Sequence, residues 1–217
     1  RMMDPVSQQM MAVRADITLQ VARIAEARLG DEPRPLRLSY AGQILRIRGN
    51  QLRPERQFAQ VGLELIGAEV VSADVEVVAL AAEALVAAGV QRPTVDLNSP
   101  ALVANILEQI DLDEATTSVG PADEVVAELK DISLPAGARA EVERLSEVVA
   151  GLHAALPDLG LTLDPVEYRG FEYHTGVSFT LFAEGVRGEL GRGGRYITGA
   201  GEAATGVSLY MDSILRA

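Results

Sequence analysis

The sequence predicts an α+β fold in which an antiparallel sheet is flanked by helices and carries a small helical insertion. Three observations predict it. Stretches that alternate apolar and polar residues lie towards both ends of the chain, stretches with apolar residues at helical spacing lie among them, and glycine- or proline-bearing turns separate the two. At 217 residues the chain is long enough for one domain with a real core. The whole of 1–217 is read as that core, with about 91–163 as a helical insertion or connection within it.

Taken in order, "VRADITLQVARIAEARLG" reads as a helix with Asp16 as N-cap, Val21, Ile24 and Ala25 as its apolar positions, and Gly30 as its stop. In "PLRLSYAGQILRIR", Leu36, Leu38 and Tyr40 alternate on one face; after Gly42, Leu45 and Ile47 alternate against Arg46 and Arg48. This predicts two strands of an antiparallel sheet. The polar link "GNQLRPER" predicts a mobile loop carrying two arginines. In "RQFAQVGLELIGAE", Val61, Leu63 and Leu65 face one way and Gln60, Gly62 and Glu64 the other. A Gln and a Glu flanking a Gly suggest a lined pocket, although this strand taken alone favours a solvated sheet face.

Helices are expected at about 73–88, at 100–110 behind Ser99 as N-cap with proline at the first position, and at about 136–156. "TVDL" is a short strand between the first two. Residues 111–134 mix acidic, Gly and Pro residues, so a loop or chain break is expected there and no site is placed in it. Further on, Val177, Phe179 and Leu181 alternate with Ser178 and Thr180, "AEG" turns, and "VRGEL" returns into the glycine-rich run "GRGGRY". Glycine there lets a backbone approach a ligand closely, but no P-loop or dinucleotide fingerprint surrounds it. "ATGVSLYMDSILRA" predicts a strand passing into a terminal helix.

Composition narrows the function classes. Hydrophobic residues make up 48% and charged residues 23% with no stretch of eighteen uncharged apolar residues, which excludes a helical membrane span. No signal peptide is visible. Without cysteine, disulfides, thiolate metal sites and cysteine nucleophiles are excluded, and a cytoplasmic location is the default. Two histidines, His153 and His174, exclude a histidine-rich metal site. A net charge of −12 argues against a broad phosphate-binding surface. A local cationic pocket is still expected where Arg46, Arg48, Arg53 and Arg56 crowd one segment and Arg187, Arg192 and Arg195 another. The chain opens on Arg1 rather than methionine, and the natural start is expected to be missing.

The ordered motifs resemble the class II aminoacyl-tRNA synthetase core, in its histidyl branch. "ILRIR" followed by "RPERQFAQVGLELIGAE" resembles motif 2, and "VRADIT" resembles the histidyl "LRPEGT" segment. "YRGFEYHTGVSF" resembles the histidine-specific "VRGLDYYTGTVFE" signature, and "GRGGRY" the "GGRYD" turn after it. About 12–70 and 164–212 are covered well, the middle only by rough element order. Carried over by position, the resemblance implies that Asp16 and Thr18 hold the amino group of histidine while Gln60 and Glu64 contact the amino acid from the sheet. It implies that Arg46 clamps carboxylate and phosphate, that Arg169 is the signature arginine, and that Tyr173 and His174 are its aromatic pair. The chemistry suits these roles, since carboxylates match an ammonium and a guanidinium matches a carboxylate.

The departures matter as much. Arg48 reverses the charge of the acid two residues after the motif 2 arginine, and "YMDSIL" puts Ser213 where an ATP-binding arginine belongs, which serine cannot replace. The chain ends where the enzymes continue into an anticodon-binding domain. This pattern, with "MDPVSQQMMAVRADITLQVARI", "RLSYAGQILR", "FEYHTGVSFTLF" and "GELGRGGRY", is similar to the regulatory-subunit family of ATP phosphoribosyltransferase, a histidyl-tRNA synthetase paralogue. That resemblance implies a non-catalytic, cofactor-free protein that binds histidine and forms a homodimer. It also implies assembly into a hetero-octamer with the short-form catalytic subunit, which the protein activates and makes feedback-sensitive in the first step of histidine biosynthesis; neither tRNA nor membrane is a partner. The alternative is a histidyl-tRNA synthetase-like enzyme, fragment or paralogue, that adenylates histidine or another small acceptor.

Each residue also has a plainer reading. Asp16 could be an N-cap alone, Arg46 and Arg48 a solvated strand face, and Gln60 and Glu64 cross-strand polar pairs worth roughly 0.2–1 kcal/mol each. Tyr173 could be core-edge packing, and His174 a strand residue with its ring in water. As an ordered set they favour a pocket; for His153 the plain helical reading stands.

Overall fold

The structure is a computed structural model and describes residues 2–46, 56–107, 119–165 and 173–217. Met2–Met3 (β1) and Met10–Met11 (β2) pair with each other in a small antiparallel hairpin. Then come Thr18–Arg28 (α1), Leu36–Leu45 (β3), Gln57–Ile66 (β4), Val71–Ala87 (α2), Pro93–Asn98 (β5) and Pro100–Leu107 (α3). Gly120–Pro121 (β6), Ala122–Asp131 (α4), Ala136–Ala155 (α5) and Gly160–Leu163 (β7) follow. His174–Ala183 (β8), Gly191–Ile197 (β9), Ala203–Tyr210 (β10) and Met211–Ile214 (α6) complete the order.

The sheet has eight strands in the order β3-β4-β10-β9-β8-β5-β7-β6. Its neighbours are antiparallel except β5 and β7, which run parallel, so the expected antiparallel sheet is present and carries one parallel pair. A parallel pair needs a long crossover, and α4 and α5 lie within the connection from β5 to β7. The main core lies between one sheet face and α2, α4 and α5, with Val77, Leu85, Leu97, Leu145, Leu152, Phe179 and Leu181 buried in it. The other face carries α1 over β3 and β4, packed on Ile17, Val21, Ile44 and Phe58. All eight residues of β10 are buried, as expected of a strand covered on both faces. Among the described residues no helix is long and apolar enough to cross a membrane.

Several expectations change. The two strands expected around Gly42 are one continuous strand, β3, in which Leu36, Leu38, Tyr40, Gly42 and Ile44 share a face; Ile44 is buried and Leu45 exposed. Gly42 does not break the strand, because its missing side chain leaves space for the Arg14 guanidinium, which a Cβ would approach to 2.3 Å. "VRGEL" is connection rather than strand, and "GRGGRY" is not a turn but the start of β9. The stretch 111–134 contains α4, whose Ala122, Val125, Val126 and Leu129 bury one helical face behind Asp123 and Glu124 in the first turn. The N-cap position of α1 is Ile17 rather than Asp16, and Ile24 is 44% exposed rather than buried. Ser99 caps α3 as expected, its hydroxyl accepting the Leu102 N–H at 3.2 Å.

An ion network ties the layers together. Asp74 of α2 is 1% exposed and takes Arg195 of β9 at 2.9 Å, Arg144 of α5 at 3.1 Å and the Thr205 hydroxyl of β10 at 2.7 Å. Arg195 also donates to the carbonyls of Ala68 and Val70. Arg195 therefore points to the core side of β9 and Arg192 to the other side, because alternate residues of a strand face opposite ways. The expected pooling of Arg192 with Arg195 fails on that parity.

Candidate functional site

Strand register assembles the site. On the α1 side of the sheet, Tyr40 of β3, Gly62 of β4, Ser208 of β10 and Arg192 of β9 stand abreast in one row. The next row is Leu38, Glu64, Gly206, Gly194 and Ser178. The row beyond that brings Ile66, Ala204, Tyr196 and His174 into line. Polar side chains thus alternate with glycines across four strands, and the glycines create the space. A Cβ at Gly206 would fall 1.8 Å from Glu64 Oε2, and one at Gly62 would fall 2.4 Å from the Tyr40 hydroxyl. One at Gly194 would meet the His174 ring at 2.7 Å.

Asp16, Thr18, Gln60 and Glu64 are brought together. Gln60 is fully buried; its Oε1 accepts the Ile17 N–H at 3.1 Å, and its Nε2 donates to Asp16 Oδ2 at 2.9 Å and Ser208 Oγ at 2.5 Å. These bonds fix the amide orientation and lock the start of α1 to β4. Asp16 Oδ1 accepts the Thr18 N–H at 2.7 Å, so one carboxylate oxygen starts the helix while the other holds the sheet. The Tyr40 hydroxyl lies 3.1 Å from Thr18 Oγ1 and 2.8 Å from Ser208 Oγ, which extends the network over the glycine gap at Gly62. The plainer readings of Gln60 and Glu64 as a solvated face or exposed cross-strand pairs are therefore corrected.

Glu64 is 1% exposed. The Tyr196 hydroxyl donates to its Oε2 at 2.9 Å, while its Oε1 is buried and accepts no hydrogen bond of good geometry. Burial pushes the carboxyl up to about 7; the nearby Thr18, Tyr196 and Tyr40 hydroxyls oppose that rise, and Asp16 adds to it. The phenols of Tyr40 and Tyr196 are pushed up as well, mainly by burial and then by Glu64. A buried acceptor with no donor costs free energy until one arrives. Beside it lies a gap of about 10 Å³, room for about one water molecule, lined by Thr18, Glu64, Tyr173, Arg192, Tyr196 and Ser208, with Gly193, Gly194 and Gly206.

Tyr173 lines the gap; its ring centre lies 4.5 Å from that of His174 behind it, and it meets Tyr196 edge-on at 5.7 Å. The His174 ring is not in water: the residue is 9% exposed, whereas Tyr173 is 58% exposed at the rim. Arg46 is not a solvated strand residue either, since its guanidinium lies over Phe58 at 4.7 Å and Tyr210 at 5.5 Å. Phe58 is two residues from Gln60 on the same strand face. Arg48, Arg53 and Arg169 lie outside the described residues. Sequence reasoning overlooked Tyr40, Tyr196, Ser208 and Gly206 as site residues, although each has the strand parity of Gln60 or its cross-strand partner. Among the described residues no group of three His, Asp or Glu side chains is placed to hold a metal ion. Asp212 at the start of α6 accepts the Ala59 N–H at 2.8 Å, and the neighbouring Ser213 is buried.

The chemistry of the arrangement suits a small ligand carrying N–H donors, with Asp16 and Glu64 as acceptors and aromatic rings at the side, and the gap has to widen to admit one. A profile of the histidyl-tRNA synthetase family matches residues 1–120 and 116–214. A relative from Rhodospirillum centenum, named ATP phosphoribosyltransferase regulatory subunit, is 53% identical over the whole of this chain; the chain spans 64% of that relative's length. The crystal structure of an ATP phosphoribosyltransferase regulatory subunit/histidyl-tRNA synthetase from Bacillus halodurans superposes with a TM-score of 0.85 at 22% identity, over 99% of this chain and 66% of that one. A chain of the ATP phosphoribosyl transferase (HisG:HisZ) complex from Thermotoga maritima superposes with a TM-score of 0.71 at 18% identity, over 92% of this chain and 81% of that one. The two structural likenesses bear out the class II synthetase-like fold.

Proposed function

The chain belongs to the histidyl-tRNA synthetase family, and on that premise we propose that it is a regulatory subunit of ATP phosphoribosyltransferase, not an aminoacylating enzyme. It binds histidine, activates the short-form catalytic subunit and confers feedback control on the first step of histidine biosynthesis. The observation that carries this reading is the cluster of half-buried Asp16 with buried Gln60, Glu64 and Tyr196, with an unmatched acceptor at Glu64 Oε1, on a chain that has Ser213 in place of an ATP-binding arginine. The name of the 53% identical relative supports it.

In this reading Glu64 Oε1 accepts an imidazole N–H and so selects one tautomer of the ligand. Asp16 and the Thr18 hydroxyl face the ammonium, while Gln60 holds Asp16 in place. Arg169 and Arg46 meet the carboxylate, and Tyr173 and His174 flank the ring. Residues of about 91–163 serve as the helical connection of the core. The protein acts in the cytoplasm as a homodimer within a hetero-octamer, without tRNA. Two assays test the reading. Calorimetric titration should show histidine binding, and ATP–pyrophosphate exchange with histidine should show no turnover. Clear exchange would instead establish the histidyl-tRNA synthetase-like alternative.

A further inference from the structure

Away from the ligand site, a groove of about 750 Å³ opens where the C-terminal ends of α2 and α5 meet the first residues of β5 and β7. Its floor is Ala82, Val86, Pro93, Leu156 and Leu159. Val86 is 57% exposed, and Leu80 on the same helix is 47% exposed. The charged groups sit at the edge: Glu83, Asp158, Glu184 and Arg92. Arg92 pairs with Glu184 across the mouth, both largely exposed, which leaves Glu83 and Asp158 as the net charge of the rim.

We infer that this groove docks an amphipathic helix of another protein, with two or three apolar side chains in the groove and Lys or Arg residues against Glu83 and Asp158. Three features select that occupant. Small-molecule sites orient their ligands with a few inward polar groups, whereas here the charged groups ring an apolar floor, which suits a helix face. A second copy packed groove to groove would bring the same acidic rim, so its Glu83 and Asp158 would be opposed by like charges. A cationic flank instead meets opposite charge at close range.

The test uses a labelled helix-forming peptide with Leu on one face and Lys on its flanks, an isomer with Glu for Lys, and a Lys peptide lacking Leu, each titrated by fluorescence anisotropy. The Leu/Lys peptide should bind the protein, and the other two should bind about tenfold more weakly or not at all. Val86→Arg and Asp158→Lys should each weaken the Leu/Lys peptide by about tenfold, the loss expected where the core or a facing charge of an interface is altered. Leu215→Arg makes the Val86 change at another exposed position and should leave binding unchanged. Equal weakening by Leu215→Arg, or equal binding of the Lys peptide without Leu, would reduce the effect to bulk charge and overturn the inference. A homodimer in sedimentation that Val86→Arg dissociates would assign the groove to a second copy and overturn it as well.

Discussion

Replacing Glu64 by Gln is expected to stabilise the protein, increasingly so as pH rises, while weakening its hold on histidine. The Glu64 carboxyl ordinarily titrates near 4.5 and is pushed to about 7 in the fold, chiefly by burial. Between those values the native state keeps a proton that the unfolded chain has released. The stability linked to Glu64 is therefore fully present below about 4.5 and is lost as pH rises through about 7. At about 1.4 kcal/mol per pH unit, the span corresponds to about 3 kcal/mol of destabilisation by the ionised carboxylate. An amide at the same place carries no such cost, and the hydrogen bond from Tyr196 is already contained in the raised value. The net gain for Glu64→Gln is then about 3 kcal/mol at pH above 8 and falls close to zero at about pH 4. Urea unfolding of both proteins at those two pH values measures it, and calorimetry on the same samples should show histidine binding weakened by about tenfold or more. Parallel stability profiles for the two proteins would refute the raised carboxyl. A stabilised variant with unchanged histidine affinity would refute the role of Glu64 as ligand acceptor.

Asp74→Ala should cost about 3–5 kcal/mol in chemical unfolding, because it leaves the nearly buried Arg195 without its carboxylate. Arg37→Ala should leave the midpoint of chemical unfolding nearly unchanged, since its pair with Glu76 at 2.5 Å is solvent-exposed on both sides. Gly206→Ala should lower stability by about 1–3 kcal/mol and abolish histidine binding, because the new methyl would occupy the position of the Glu64 carboxylate. Ser99→Ala should cost about 1 kcal/mol in thermal or chemical unfolding through loss of the α3 cap.

Local patterns carried much of the fold. Alternation located β3, β4 and β8, apolar spacing located β10, α2 and α5, and the Ser99 cap located α3, because these signals act within a few residues. The phase beyond Gly42 was misread because glycine is a strong local breaker on average, and only the distant Arg14 explains why it continues the strand here. The parallel pairing of β5 with β7 depends on a crossover of some sixty residues and leaves no local trace. α4 was hidden by its Pro- and Gly-bearing flanks, although Val125, Val126 and Leu129 do carry helical spacing. At the site, Gln60 and Glu64 were legible from strand parity. Tyr196 and Ser208 were not, because their approach to Glu64 and Gln60 depends on the register of β10 between β4 and β9. The same register explains the glycines: "GRGGRY" and Gly206 are small because neighbouring strands aim side chains into those positions.

The central claim, a histidine-responsive subunit acting on a catalytic partner, is tested most directly by mixing the protein with a short-form ATP phosphoribosyltransferase catalytic subunit and following turnover and co-elution with and without histidine. The account predicts no phosphoribosyltransferase activity from the protein alone, a complex with raised activity on mixing, and a fall in that activity when histidine is added. Neither a complex nor a change in rate under either condition would contradict it.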